Sequence, residues 1–277
     1  MEKKRWESEG EVRFFESSEE LSTGLADYVH HVSESALSER SSFSLALSGG
    51  DIPERLGKLA RLPYLRTVEW SKWHLFWAEE NVVPKRHPDS FYMQAKHHFI
   101  SKVPIQPAHV VPACHETPGE AAADRYEFSI RQQVKDRTVP ASPSSDCPRF
   151  DLVLLSLGPR SQVSSLHTDH PVLLEGSQWV APVSVPGEQR ERLTFTLPVI
   201  NAAANVAIVA SGSDVASAFR EAMVDQSPMA SSPARMIRPA DGKLVWFVDA
   251  GAASLFSCGG TTASASGESD LMRSACM

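Results

Sequence analysis

Three stretches of the chain hold residue types that could do chemistry. In "LALSGGDIPERL" two glycines, Gly49 and Gly50, follow Ser48 between an apolar run and a helical pattern. Backbone N–H groups of such a turn, backed by a helix N-terminus, form an anion site; without a ligand the same residues make a tight strand–helix turn. In "FWAEENVVP" the carboxylates of Glu79 and Glu80 end another apolar run. Carboxylates at the carboxyl end of a strand can hold sugar hydroxyls or exchange protons, and otherwise form a solvated acidic loop. The third stretch, "LVLLSLGPRSQVSSLHTDHP", runs from Leu152 to Pro171. It starts as a buried strand, breaks at Gly158 and Pro159, and turns polar, which is where an open α/β sheet places a ligand. His167 and His170 within it have the i, i+3 spacing that can share a metal. No other ligand set accompanies them, so no metal is assigned and the two read as a surface pair.

Other chemistries lack their residues. Gly50 and Gly57 are too far apart for a nucleotide-phosphate loop, and Lys58 is followed by Leu59 rather than Ser or Thr. No G-x-S-x-G elbow occurs, and "ASGSD" lacks the second glycine in register, which disfavours a serine hydrolase. The net charge of −7 and pI of about 5.8 argue against a general nucleic-acid binder but leave room for a local basic pocket. No run approaches the roughly 18 apolar residues of a membrane span. The four cysteines, Cys114, Cys147, Cys258 and Cys276, are scattered and form no CxxC pair, as expected of reduced thiols. The N-terminal "MEKKRWESEGEVRFF" has no apolar core and is rich in Glu, unlike a secretory or transit leader. The expected location is the cytoplasm.

The elements that must position these residues alternate. "EVRFF" reads as a strand, and "SSEELSTGLADYVHHVSESALSER" as a helix capped at Ser17 or Ser18, with Leu21, Leu25, Tyr28 and Val32 on one face. "FSLALSGG" and "WHLFWAEE" read as strands, "DIPERLGKLARL" as a helix with Pro53 in its first turn, and "PDSFYMQAKHHFISKV" as a helix started by Pro88 and Asp89. "HVVPA" reads as a short strand, and "TPGEAAADRYEFSIRQQVKD" as a helix capped by Thr117. After a Pro/Ser loop over 137–149, "FDLVLLSLG" has the continuous apolar character of a strand buried on both faces. "WVAPVSV", "RLTFTLPVINAA" and "NVAIVAS" add strands or short helices, "SDVASAFREAM" a helix, and "KLVWFVDAGAASLF" a strand with a short helix. This alternation predicts an α/β fold, a three-layer doubly wound and mainly parallel sheet. A single domain over 1–256, with a small β insertion, and a polar, disordered tail over 257–277 are expected.

In combination these stretches resemble the 6-phosphogluconolactonase family, most closely its plant-type cytosolic members. The resemblance covers about residues 11–255 and is carried by "LALSGG" with Pro53, "WSKWHLFWAEENVVPKRHPDSFY", "FDLVLLSLGP", "SSL" with "HP", "RLTFTLPVINAAANVAIVASG" and "KLVWFVDAGAA". It implies the doubly wound fold shared with the sugar-phosphate isomerases. It also implies hydrolysis of 6-phosphoglucono-δ-lactone to 6-phosphogluconate, in the oxidative pentose phosphate pathway, with a sugar phosphate as partner and no metal or organic cofactor. In the family a histidine activates water, within Gly-Pro-Asp-Gly-His-Thr-Ala-Ser-Leu-Phe-Pro. An Asp-Glu-Arg loop and the Ser-Gly-Gly turn position substrate.

This sequence departs from that pattern at the ligand edge. The histidine position is Gln162, the acidic position Arg160 and the glycine position Ser161. Asp-Glu-Arg reads Glu79, Glu80, Asn81; Ser-Asn-Tyr reads Ser90, Phe91, Tyr92; and Asp51 and Ile52 replace a Ser/Thr pair. Gln has no accessible titration and forgoes general-base catalysis, typically about 10²–10⁴-fold. Asn81 removes a fixed bidentate cation, and Asp51 brings negative charge toward an expected phosphate. The expected site is therefore Gln162 orienting water, with His167 as substitute base. Ser48, Gly49, Gly50, Glu79, Glu80, Asn81, Gly158 and Arg160 would surround substrate. The alternative is a non-catalytic sugar-phosphate binder or partner subunit.

Overall fold

The computed structural model describes residues 2–6, 10–113, 118–184, 187, 190–224 and 232–256. The chain opens with β1 (Glu2–Trp6) and β2 (Gly10–Phe15), then α1 (Ser18–Glu39). Ser17 caps α1, its hydroxyl accepting the Glu20 N–H at 3.2 Å, and Leu21, Leu25, Tyr28 and Val32 are all buried. β3 (Phe43–Leu47) leads to the short α2 (Ile52–Arg55) and α3 (Tyr64–Thr67). β4 (Trp73–Trp77), β5 (Glu79–Asn81), α4 (Phe91–His98) and α5 (Gly119–Lys135) follow. The second half comprises β6 (Leu152–Ser156), β7 (Val180–Ser184), β8 (Glu191–Phe195), α6 (Leu197–Asn201), β9 (Asn205–Ala210), α7 (Ala216–Val224) and β10 (Lys243–Asp249).

Seven strands form the central sheet in the order β1-β2-β10-β9-β6-β3-β4. β1 pairs antiparallel with β2, and every other neighbour pair is parallel. The strands read as continuous apolar runs because helices cover the sheet. α1, for example, packs on β2, β3 and β10. Aromatic side chains pack on both faces of the sheet at the β4 side: Phe43 meets Trp73 on one, and Phe76, Phe150 and Phe195 are in contact on the other. From β3 the chain moves outward to β4, and from β6 it moves the other way to β9 and β10. The carboxyl ends of β3 and β6 are thus the topological switch point, where an open sheet leaves a crevice. A second sheet, β5-β8-β7, is antiparallel and grows from the end of β4, where the Phe195 N–H donates to the Ala78 carbonyl at 2.7 Å. Its strands come from two separated parts of the chain, one early and two late.

Several expectations need correction. β1 was not anticipated, because "EKKRW" has no apolar alternation and is placed by pairing with β2. "WHLFWAEE" is two strands in two sheets, bent at Ala78. α2 is one turn and passes into a 3-10 helix over Leu56–Ala60. "HVVPA" contributes one isolated bridge, Leu75 to Val110. "AGAASLF" makes turns instead of a helix. Ser90, rather than Pro88 or Asp89, caps α4 through its hydroxyl, which accepts the Met93 N–H. Thr117, Cys114, Cys258, Cys276 and the whole 257–277 segment lie outside the described residues; Cys147 is buried as a free thiol.

Candidate active site

Two loops meet at the switch point. Ser48, Gly49 and Gly50 leave β3; the Ser48 N–H donates to the Leu154 carbonyl of β6, and the Ser156 N–H returns a bond to the Ser48 hydroxyl at 3.0 Å. Gly50 takes φ +66°, which a β-carbon would strain. From β6 the chain enters the 158–166 loop, a compact turn held by Gly158 N–H to Gln162 carbonyl at 2.8 Å and Leu166 N–H to Val163 carbonyl at 3.1 Å.

Glu79 ties these loops together. It is 6% exposed, and one carboxylate oxygen accepts the Gly49 N–H at 3.0 Å while the other accepts the Ser165 hydroxyl at 2.7 Å. The Arg192 guanidinium lies 3.9 Å from the latter oxygen. The register explains this arrangement. β5 and β8 pair Glu79 with Thr194 and Asn81 with Arg192. Alternate residues of a strand share a face, so Glu79, Asn81, Thr194 and Arg192 share one.

Glu80 must then face the other way, and it does not stand beside Glu79 in the site as expected. It is fully buried, and its carboxylate accepts the N–H groups of Asn81, Phe91 and Tyr92 at 2.7–2.9 Å and the Ser90 hydroxyl at 3.2 Å. Burial pushes its pKa up to about 7, against the pull of those four donors. Glu80 fastens the N-terminus of α4.

The departures from the family pattern have specific partners. Gln162 is half-buried, and its Oε1 accepts the Arg160 N–H at 2.9 Å. That bond makes Oε1 the acceptor and leaves Nε2 as the donor. The amide lies on Gly158: a β-carbon there would come within 2.1 Å of Nε2, so the approach requires glycine. Asn81 Nδ2 donates to the Asp89 carbonyl at 2.7 Å, pinning the 82–90 loop. The Phe91 ring packs on Gly49, where a β-carbon would meet it at 2.5 Å. Asp51 does not bring an uncompensated charge. Arg55 binds it through Nε at 2.7 Å and Nη2 at 2.6 Å, and the Ser156 hydroxyl donates to it at 3.2 Å. Arg55 Nη1 also reaches the Ser18 carbonyl and the Ser18 and Ser22 hydroxyls, joining α1 to α2.

Ser161 and Ser164 hold φ of +59° and +54°. The left-handed region costs a non-glycine residue about 1 kcal/mol or more. Ser161 donates its hydroxyl to Glu221 of α7 at 2.6 Å; Ser164 donates to the Ala78 carbonyl at 2.9 Å and lies 3.1 Å from the Thr194 hydroxyl. Arg160 is exposed at the loop tip. His167 follows Leu166 and is half-buried; its carbonyl accepts the His170 N–H at 3.2 Å. His170 Nδ1 accepts the Val172 N–H at 3.1 Å, so this ring caps a turn.

Farther along the same edge, burial pushes Asp249 up, but bonds from Ser211, Ala252 and Gly212 and the charge of Arg55 together hold it below the usual carboxylate value. A surface cleft of about 490 Å³ opens between α1 and α2, lined by charged groups of both signs such as Asp51, Arg55, Lys58 and Arg61. It shares Asp51 with the edge of the Ser48–Gly50 turn, whereas Glu79, Gln162 and Arg192 are not in its walls.

Sequence reading missed Arg192, Ser165 and Glu221. The alternation in "ERLTF" puts Arg192 and Thr194 on one face, but its partner strand is set by long-range pairing that no local pattern encodes.

The family described as glucosamine-6-phosphate isomerases/6-phosphogluconolactonase matches residues 16–246. A rice (Oryza sativa subsp. japonica) protein named probable 6-phosphogluconolactonase 1 is 50% identical over 248 residues, covering 88% of this chain and 84% of that one. The Arabidopsis thaliana protein named probable 6-phosphogluconolactonase 1 is 45% identical over 245 residues, covering 87% and 91%. Among solved structures, the 6-phosphogluconolactonase from Trypanosoma cruzi superposes with a TM-score of 0.78 at 22% identity, over 92% of this chain and 99% of that one. A monomeric glucosamine-6-phosphate deaminase superposes at 0.71 with 18% identity, over 88% and 99%. Those structural likenesses speak for the fold, and the sequence matches speak for descent: the chain belongs to the glucosamine-6-phosphate isomerase/6-phosphogluconolactonase family.

Proposed function

We propose that this chain binds 6-phospho-D-glucono-1,5-lactone at the switch point and opens it to 6-phosphogluconate slowly, with no titrating base at position 162. The observation that carries this reading is the junction at Glu79, where one buried carboxylate joins the Ser48–Gly50 turn, the 158–166 loop and the strand bearing Arg192. The names of the rice and Arabidopsis relatives point to the same reaction. Water adds to the lactone carbonyl carbon, the ring C–O bond breaks, the ring oxygen takes a proton, and the new acid ionises. In this reading Arg192 supplies the phosphate cation that Asn81 does not, with Arg160 at the loop tip as a second. The Ser48–Gly50 turn and Gly158 line the sugar. Gln162 orients water or the carbonyl through its amide, and His167 is the reserve base. No cofactor takes part. The cytoplasm is the proposed setting, on the strength of scattered cysteines; no helix among the described residues is long and apolar enough to cross a membrane.

A second reading, a non-catalytic sugar-phosphate binder, draws on one observation: Asn81, Phe91, Asp51 and Gln162 each have partners within the protein. One experiment separates the two. Hydrolysis of freshly generated lactone is measured at neutral pH, with the spontaneous rate subtracted, for wild type and His167→Ala, beside calorimetry with 6-phosphogluconate. A wild-type rate that collapses in His167→Ala assigns the base to His167. Binding with no rate above background establishes the binder. Neither rate nor binding overturns both.

A further inference from the structure

Where Gln162 stands is decided one residue earlier, at Ser161. The turn reverses there: Ser161 N–H and Gly158 N–H close it onto the Gly158 and Gln162 carbonyls at 3.1 and 2.8 Å, and Arg160 N–H bonds the Gln162 amide. Ser161 reaches this geometry in the left-handed region at φ +59°, while 2% exposed. Its hydroxyl donates at 2.6 Å to a carboxylate oxygen of Glu221, on α7. Ser164, the other left-handed residue of the loop, is anchored to different elements, the end of β4 and the face of β8. A serine unsupported at this φ has extended and right-handed alternatives that cost less. A charge-assisted bond to a helix-borne carboxylate shifts that balance, because such bonds are about twice as strong as neutral ones.

We propose that Glu221 is a positioning residue for the candidate site: by holding Ser161 left-handed, it fixes the turn that sets Gln162 over Gly158. Its ligand readout rests on the function proposed above, whereas its conformational readout does not. The linkage has a specific signature. Glu221 acts through the Ser161 hydroxyl, so its effect disappears when residue 161 is glycine, which needs no support at positive φ. Gln at 221 still offers an acceptor and rescues, whereas Ala does not.

The test uses the full chain as wild type, Glu221→Ala, Glu221→Gln, Ser161→Gly and the Ser161→Gly/Glu221→Ala double variant. Amide hydrogen exchange over 158–166 is followed without ligand, 6-phosphogluconate affinity by calorimetry, and thermal unfolding as the fold control. Glu221→Ala is expected to speed exchange in the loop and to weaken affinity by about tenfold each, the size of a typical contact coupling, while Glu221→Gln stays close to wild type. In the glycine background, Glu221→Ala adds no further change. Loop exchange unaltered in Glu221→Ala, or an equal Glu221→Ala effect in both backgrounds, overturns the proposal. A wild type that binds no 6-phosphogluconate refutes the functional reading instead, and the exchange measurements still decide the role of Glu221.

Discussion

On the buried carboxylate of Glu79 converge a backbone N–H, a serine hydroxyl and, at 3.9 Å, a guanidinium. Removing the acceptor leaves these buried donors unsatisfied, which costs about 1–3 kcal/mol. Glu79→Ala is accordingly expected to lower folding stability by that order in urea denaturation, and to disconnect the Ser48–Gly50 turn from the 158–166 loop. Gly158→Ala acts more narrowly. Its β-carbon would stand 2.1 Å from Gln162 Nε2, a movable side-chain end, so the amide leaves the Arg160 N–H while the fold survives. The expected outcome is weaker 6-phosphogluconate binding with a thermal midpoint close to wild type. The positions of Ser48, Gly49, Gly50, Gln162 and Glu79 were legible because they sit where strands end. Glu80 was misread as a site group because two adjacent carboxylates look equivalent in one dimension, whereas a strand's period of two sends them to opposite faces. Arg192 was invisible for the complementary reason: it enters through a strand pairing far away in sequence.

At the scale of elements, α4 is fastened by a buried acid and α1 to α2 by a buried base. Glu80 has its pKa raised by burial from 4.5 to about 7. A raised carboxyl pKa means that the folded state binds the proton more tightly than the unfolded one. The stability from this group is therefore fully present below the unfolded value and is lost as pH rises through the folded value. Between about pH 5 and pH 8, wild-type stability is expected to fall more steeply with rising pH than that of Glu80→Gln, in chemical denaturation at matched ionic strength. At low pH, where Glu80 is protonated, Glu80→Gln is expected to be less stable by about 1–3 kcal/mol, since an amide nitrogen now faces N–H donors, and the gap is expected to narrow as pH rises. Arg55 makes the analogous tie: it holds Asp51 and the Ser18 and Ser22 hydroxyls together, so Arg55→Ala should destabilise more than Asp51→Asn, whose carboxylate is about one-third exposed. Long amphipathic α1 was readable from its cap and face, whereas one-turn α2 was not, because Pro53 and Gly57 bracket too few residues to sustain a helix.

The whole molecule owes its site to topology. Parallel strands put every following loop on one edge, and the reversal between β3 and β6 opens the crevice there. Strand–helix alternation and continuous apolar runs were enough to read this architecture from sequence, since each local choice agrees with the global sheet. The order of strands, the edge strand β1 and the bend at Ala78 were not readable, because pairing decides them. Ligand binding should register globally: 6-phosphogluconate at 100 times its Kd is expected to stabilise the fold by about 2.7 kcal/mol, seen as a raised thermal midpoint that Arg192→Ala abolishes. The most direct measurement is lactone hydrolysis, background subtracted, by wild type, Gln162→His and Arg192→Ala. A base at position 162 is expected to raise the rate by about 10²-fold over a slow wild type, and Arg192→Ala, which removes the proposed phosphate partner, to bring it to background. Equal rates in all three proteins would contradict the assignment of this crevice as the lactone site.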